Sequence, residues 1–479
     1  MTMPTTPPRF RLSTSPEIAL SAAGGLSLLL LASLVLGKIG AAWLPGAGAL
    51  LTLSAATAIV LALLRLPRVS RIAQVFLAGA FLATLIVALA LPKALPAMQA
   101  ALLQGTAFSA FLTALGLIRA PVRRSSLIAR AAEGLFAHSA RARVFAVSLG
   151  AQGISVLFNI GTIGMISDIA RNHDAARKAA GKRGIDSRAM TLAALRGTLL
   201  MTVWSPIGLG FAIVTSAIPT LDPVRFFALA FGIVAVLSLA AAGLDAAATP
   251  VPPGPRPQDP APEGAGRALA LVLAAIAGLI ALTLAAHRLL DVSFLIAACL
   301  VLPLLAALWP RLEPGLRSPG PEGALTRLSA ASEGMATEST IFLAAAVIGA
   351  AVAAAAQAAG IDALIAGGQL PALGVILACL VLIPAVGAVM IPHTIVMIMA
   401  ASLFGAGPVG TDHPYALGLA LLFAWALAIA ASPISAMSII TGRELGVTPQ
   451  RVTFALNLRF TLGLMAAAAL VVGLVYALD

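Results

Sequence analysis

The sequence predicts an all-α polytopic membrane protein made of two inverted repeats, with about eleven transmembrane helices, two opposed re-entrant hairpins and two broken helices. Three observations predict it. The 479 residues are 60% apolar and 10% charged, with a mean hydropathy of +1.02, where a soluble domain is roughly a quarter charged. Apolar runs of about 20 residues, the length that spans the hydrocarbon layer, recur along the chain. Lysine and arginine gather in particular loops. So little polar surface excludes a soluble enzyme, a disordered scaffold and a secreted disulfide domain. Cys299 and Cys379 sit inside apolar runs and read as small buried hydrophobes, not a disulfide or metal site. The net charge of +12 fits arginine-rich loops on one side of a bilayer better than a nucleic-acid partner.

Spans fall near 18–36, 47–64, 72–91 and 99–118. The first follows Arg9, Arg11 and Glu17 without a convincing small-residue cleavage site, so it is expected to stay in the protein. Arg65, Arg68 and Arg71 lie after the second span, and Arg119, Arg123, Arg124, Arg130, Arg141 and Arg143 after the fourth. The positive-inside rule puts both loops, and hence the N-terminus, in the cytoplasm, which suits a cytoplasmic (inner) membrane. Residues 127–140 read as an amphipathic helix on the inner surface.

The apolar stretch 144–170 is followed by Arg171, Arg177, Lys178, Lys182, Arg183 and Arg188, so both of its ends belong inside. A hairpin that enters and leaves from the cytoplasm satisfies this. Asn159, Gly161, Thr162 and Gly164 fall at its tip, where irregular backbone survives only against protein or water. The next span, 189–218, is interrupted by Ser205-Pro206-Ile207-Gly208, because proline removes a backbone donor and glycine loosens the helix. A span at 224–244 returns inward. The first repeat then covers 1–245, and 246–266, with Pro250, Pro252, Pro253, Pro255, Pro257, Pro260 and Pro262, is a stiff cytoplasmic linker.

The second repeat, 267–479, runs the same order upside down. Spans at 267–286 and 292–309 lead to a basic loop with Arg311, Arg317 and Arg327, and the span 337–358 ends outside. Residues 359–414 carry no lysine or arginine, as an external segment should. Within them 371–404 reads as two short helices around Met390-Ile391-Pro392-His393-Thr394, a second hairpin entering from outside. The span 415–440 breaks at Ser432-Pro433-Ile434-Ser435, Arg443 and Arg451 follow inside, and 453–477 leaves the C-terminus external. Ser205-Pro206-Ile207 thus echoes Ser432-Pro433-Ile434, each in the span after a hairpin. Inverted repeats with discontinuous helices are a transporter architecture that holds substrate at the repeat interface.

On these features the chain resembles the ion transporter superfamily, which includes divalent anion/sodium symporters, citrate carriers and arsenite-efflux pumps. The symporters carry a Ser-Asn-Thr triplet at each hairpin tip and a Thr-Pro or Ser-Pro element in each broken span. Here the first tip keeps Asn159 with Thr162 displaced, and the second has Pro392-His393-Thr394. The resemblance implies an elevator motion, in which hairpins and broken spans carry substrate past a scaffold, often in a homodimer.

Helix ends at the tips and breaks present free N–H groups and the positive end of a dipole, which suits carboxylate or oxyanion oxygens. The candidate substrate and ion site is Asn159, Gly161, Thr162, Ser205, Pro206, His393, Thr394, Ser432, Pro433 and Ser435. Carbonyls exposed there suit sodium, and His393 suits a coupled proton because imidazole titrates near neutrality; the competing reading is a neutral histidine bonded to backbone. A serine or threonine in an apolar helix commonly just bonds its own backbone. Arg196 and Arg459 read as snorkelling to the surface, and Asp168 as closing the first hairpin at the water; Glu338 begins its span from inside and either pairs with an arginine or faces the cavity as an intramembrane carboxylate, its place near the span's end weighing against the functional role. No cofactor is expected beyond a sodium or proton coupling ion. The expected function is secondary transport of a small anion, a di- or tricarboxylate, with the lipid bilayer as surroundings. Export of an inorganic oxyanion or arsenite is the alternative. A membrane-embedded enzyme lacks a carboxylate, histidine or nucleophile cluster, HExxH or a phosphate loop.

Overall fold

A computed structural model describes residues 16–250, 261–313, 316 and 324–479. Its described elements are all helical. The first half runs α1 (Pro16–Ile39), α2 (Ala47–Arg65), α3 (Arg71–Ala90), α4 (Leu95–Val122), α5 (Ser126–Gly134), α6 (Ala140–Phe158), α7 (Gly161–Ala179), α8 (Ser187–Trp204), α9 (Leu209–Ala217) and α10 (Pro223–Ala248). The second half runs α11 (Ala265–Leu289), α12 (Phe294–Leu312), α13 (Ala324–Glu333), α14 (Ala336–Ala358), α15 (Ile361–Ala366), α16 (Ala372–Ala388), α17 (His393–Phe404), α18 (Pro408–Asp412), α19 (Pro414–Ala431), α20 (Ala436–Leu445), the single turn α21 (Pro449–Arg451) and α22 (Leu458–Tyr476). Counting α8 with α9 and α19 with α20, eleven described segments are long and apolar enough to span a bilayer. The chain is therefore a multi-pass helical membrane protein.

Local chemistry sets the helix starts. Ser70, Ser125, Asp186, Asp222 and Ser293 each accept a hydrogen bond from the first turn of the helix they precede, replacing donors the helix leaves free. Pro223 opens α10, where its missing N–H costs nothing. A π-helical turn, Val452–Leu456, leads into α22.

The two broken segments form the centre. Of the most apolar window in Pro414–Leu445, 89% is buried inside the protein, against 17% for Arg71–Ala90, whose Val75, Phe81 and Leu89 face outward as a lipid-exposed helix should. Each hairpin lays its first arm on its own half's broken segment, α6 on α8 and α16 on α19. The second arms touch both broken segments, with an exchange between halves: α7 packs on α8 and also on α20, and α17 on α19 and also on α9. The same exchange occurs in the framework, where α12 packs on α4 and α3 on α14, with α4 and α14 against each other.

Polar contacts sort the chain ends onto two faces. One face joins Arg65 to Glu333, Glu313 to Ser125 and Ser126, Arg171 to Glu444, and Arg196 to Asp245. The other joins Asp222 to Arg288 at 3.2 Å and Thr220 to the Gly410 carbonyl at 2.9 Å.

Four sequence expectations shift. The surface helix 127–140 is the shorter α5, followed by turns, and its Ile128, Ala131 and Ala132 are buried, with α11 packed against it. Helix α10 runs through Ala248 and α11 starts at Ala265, shortening the linker; Pro252, Pro253, Pro255, Pro257 and Pro260 lie outside the described residues, as do Arg9, Arg11 and Arg317. The first hairpin is longer than 144–170 because amphipathic turns extend both arms into water. Arg196 is not a free surface cation but is pinned on the same face as Arg65: it ion-pairs with Asp245, donates to Asn457 Oδ1 at 3.2 Å and lies over the Phe460 ring at 5.3 Å.

Candidate functional site

At the first hairpin tip Asn159 adopts φ 51°, a backbone state that L residues rarely take and that needs surrounding support. Its Oδ1 accepts from the Ile160 N–H at 2.7 Å, which leaves the side-chain amide free to donate. Gly161 lies under the Phe158 ring, where a Cβ would sit 2.8 Å from a ring carbon. Thr162, in the first turn of α7, is fully buried, and its Oγ1 has no hydrogen-bond partner.

The first break forms because Pro206 has no N–H and Ser205 and Gly208 are extended. Gly208 N donates to the Ser205 carbonyl at 2.8 Å, and α9 then begins with no side-chain cap. Ser205 is 1% exposed, and among the described residues neither its Oγ nor the Trp204 indole N–H has a hydrogen-bond partner. A serine in a helix commonly satisfies itself on the carbonyl four residues back; at Ser205 the backbone N–H takes the Met201 carbonyl at 3.0 Å and Oγ does not.

The second half repeats the chemistry with different partners. Met390 has φ 64° at the hairpin tip. The half-buried His393 opens α17 and sets its ring edge-on to Trp425, with centroids 5.2 Å apart. Trp425 also covers Gly210 of α9, so the second tip reaches the first break through one indole. Thr394 is half-buried beside His393. Ser432 is fully buried with an unpartnered Oγ, and Pro433 follows it. Ser435 is engaged instead: it caps the Ser438 N–H at 3.2 Å and donates to Ser438 Oγ at 2.9 Å.

Two spaces meet these elements. A vestibule of about 920 Å³ opens between α4, α5, α7 and α20, lined among others by Arg119, Arg124, Arg130, Gly161 and Arg443. Beyond it a chamber of about 80 Å³ is lined by Asn159, Ser205, Gly208, Met335 and again Arg119. The first tip and first break therefore share a cavity. Thr162, Pro206, His393, Thr394, Ser432, Pro433 and Ser435 do not line it.

Several residues escaped the sequence. Arg119 looked like a loop cation, yet it borders both spaces. Thr198, Thr441 and Asn457 also hold buried, unpartnered polar atoms, and only their mid-span polarity hinted at it. Glu338 is exposed in the first turn of α14, the span start where the sequence put it, and within range of the Arg119 charge. Asp168 is exposed and paired with Arg171, but it lies midway along α7 and lines the vestibule instead of closing the hairpin's end.

Fold and site define a polytopic helical membrane protein whose two central spans are interrupted at buried serines. No family model matches the chain, and no curated protein does. Among solved structures it is similar to the Alcanivorax borkumensis YdaH transporter, described as having an unusual topology, at 18% identity and a TM-score of 0.49 over 76% of this chain and 84% of that one. A likeness at that level carries nothing about this chain's substrate or mechanism.

Proposed function

We propose that this chain is a secondary active transporter of a small anion, a di- or tricarboxylate, coupled to sodium or protons. The observation that carries this is the pair of buried, unpartnered serine hydroxyls, Ser205 and Ser432, one at each broken span. A buried hydroxyl left unbonded costs roughly 1–3 kcal/mol, a cost that bound oxygens or an ion would remove. The start of α9 beside Ser205, which has no side-chain cap, adds anion affinity without a trapping counter-charge.

The matching pattern of the two halves, each hairpin's first arm on its own broken segment and its second arm against both, supports two inverted repeats, 1–245 and 267–479, about the Pro-rich segment. Such repeats suit elevator-type alternating access, which we place in a homodimer. The face bearing Arg65, Arg119 and Arg171 is then cytoplasmic, with the N-terminus, and the C-terminus is external in an inner membrane. His393, in the second tip, is the candidate proton carrier. This reading resembles the ion transporter superfamily in organisation.

The small chamber favours one alternative, export of an inorganic oxyanion or arsenite, because about 80 Å³ admits such a species whole. Proteoliposomes loaded with a panel of labelled carboxylates, sulfate and arsenite, with and without sodium and pH gradients, test both. Gradient-driven movement of a carboxylate supports the first reading and of arsenite alone the second. Uptake that ignores pH and His393→Ala removes the proton role.

A further inference from the structure

Arg119 lies near the end of α4, half-buried, at the wall shared by vestibule and chamber. A guanidinium has five donors in a planar fork. Its one hydrogen bond among the described residues goes from Nη1 to the Met335 thioether at 3.1 Å, a weak acceptor. Nearby, Arg124 Nη1 is buried without a hydrogen-bond partner among the described residues. The vestibule lining keeps a basic balance, with Arg119, Arg123, Arg124, Arg130 and Arg443 against Glu133, Asp168 and Glu444, although Glu338 also bears on Arg119. Asp168 and Glu444 are held by Arg171, and Glu444 also by Arg443.

We propose that Arg119 is the anion-recognition residue at the vestibule floor, drawing a single carboxylate or oxyanion group into the chamber between the Asn159 amide and the Ser205 hydroxyl. This rests on the transport reading above and narrows it. The geometry of a guanidinium matches two oxygens of such a group at once. The chamber has room for roughly two or three waters, so it takes one anionic group, and the remainder of a larger substrate stays in the vestibule. A lysine keeps the charge but loses the paired contact.

The test separates this assignment from transport itself. Cys299 and Cys379 are buried, so a single Ala129→Cys in the vestibule reports on reagents added to the full-length protein. The probes are two methanethiosulfonates of similar size, one carrying a sulfonate and one a trimethylammonium, each normalised to its rate with a free thiol. The sulfonate reagent is expected to react about 10-fold faster, and Arg119→Gln to reduce that preference about threefold while Arg119→Lys retains it. In liposomes, Arg119→Gln is expected to raise KM for the transported anion, and Arg119→Lys to restore only part of it. An unchanged charge preference in Arg119→Gln, or full recovery of KM by lysine, overturns the proposal. Wild-type liposomes that move no anion would refute the transport reading while the charge preference still decides whether Arg119 draws anions.

Discussion

Arg171 donates to Glu444 at 2.7 Å, tying the first hairpin's second arm to the half-helix beyond the second break. The two residues are 273 positions apart and meet at the vestibule mouth. If the hairpin moves relative to its surroundings during transport, this pair either travels as a unit or must part. A flexible thiol-specific cross-link between Arg171→Cys and Glu444→Cys is expected to leave transport intact, because α7 also packs on α20. Loss of flux on cross-linking, restored by reduction, would show that these elements separate instead.

On the same face, Arg65 is a buried guanidinium. Its Nε donates to Glu333 Oε2 at 2.9 Å and its Nη2 to Ser27 Oγ at 2.6 Å, joining α2, α13 and α1. Removing one partner strands the other charge away from water, at a cost of about 3–5 kcal/mol. Arg65→Met is expected to lower the thermal midpoint of the detergent-solubilised protein sharply. The double variant Arg65→Met/Glu333→Leu should recover much of the loss, and a double variant as unstable as the single one would contradict this account.

Glu313 binds the start of α5. Burial pushes its carboxyl up, but hydrogen bonds from Ser125, the Leu127 N–H, Ser126 and the Trp309 indole outweigh that and hold it below its ordinary value. A carboxyl depressed in the fold adds stability above its unfolded value of about 4.3, and that contribution is lost as pH falls through the lower folded value. Melting curves of wild type should therefore decline on acidification, with Glu313→Gln less stable at neutral pH and converging on wild type in acid. Parallel curves over the whole range would remove Glu313 from the acid response.

Gly197 lies against the Ser148 carbonyl where α6 meets α8, with the Gln152 N–H 3.0 Å from where a Cβ would stand. The backbone cannot yield cheaply there. Gly197→Ala is expected to destabilise by about 1–3 kcal/mol, whereas Gly232→Ala, with nothing within 4 Å, should be neutral or better. Equal melting of the two variants would mean that the hairpin does not rest on α8 as closely as the structure has it.

The spans, tips and breaks were legible because each rests on local chemistry: length and hydropathy for the spans, Asn159 and Pro392 at the tips, and Pro206 and Pro433 at the breaks. The short helices α13, α15 and α18 were not, since they have too few turns to show a period. Nor was the partnership of Arg196 with Asp245, or of Glu313 with α5, because residues far apart in sequence carry no mutual signal. Arg119 was misjudged for the same reason. A cation ending an apolar span looks like an interfacial anchor until the cavity beside it is seen. The candidate site was legible as a list of polar interruptions, but not the separation of the second-half residues from the first-half chamber.

The central claim is that the broken spans bind a transported anion. Its most direct measurement is the initial rate of labelled-anion uptake into liposomes containing wild type, Ser205→Ala or Ser432→Ala under an imposed ion gradient. Wild type is expected to show saturable uptake above empty liposomes, and each variant a loss of about 10-fold or more, the worth of a buried hydrogen bond to a charged group. Wild-type uptake equal to that of empty liposomes for every anion, or alanine variants as fast as wild type, would contradict it.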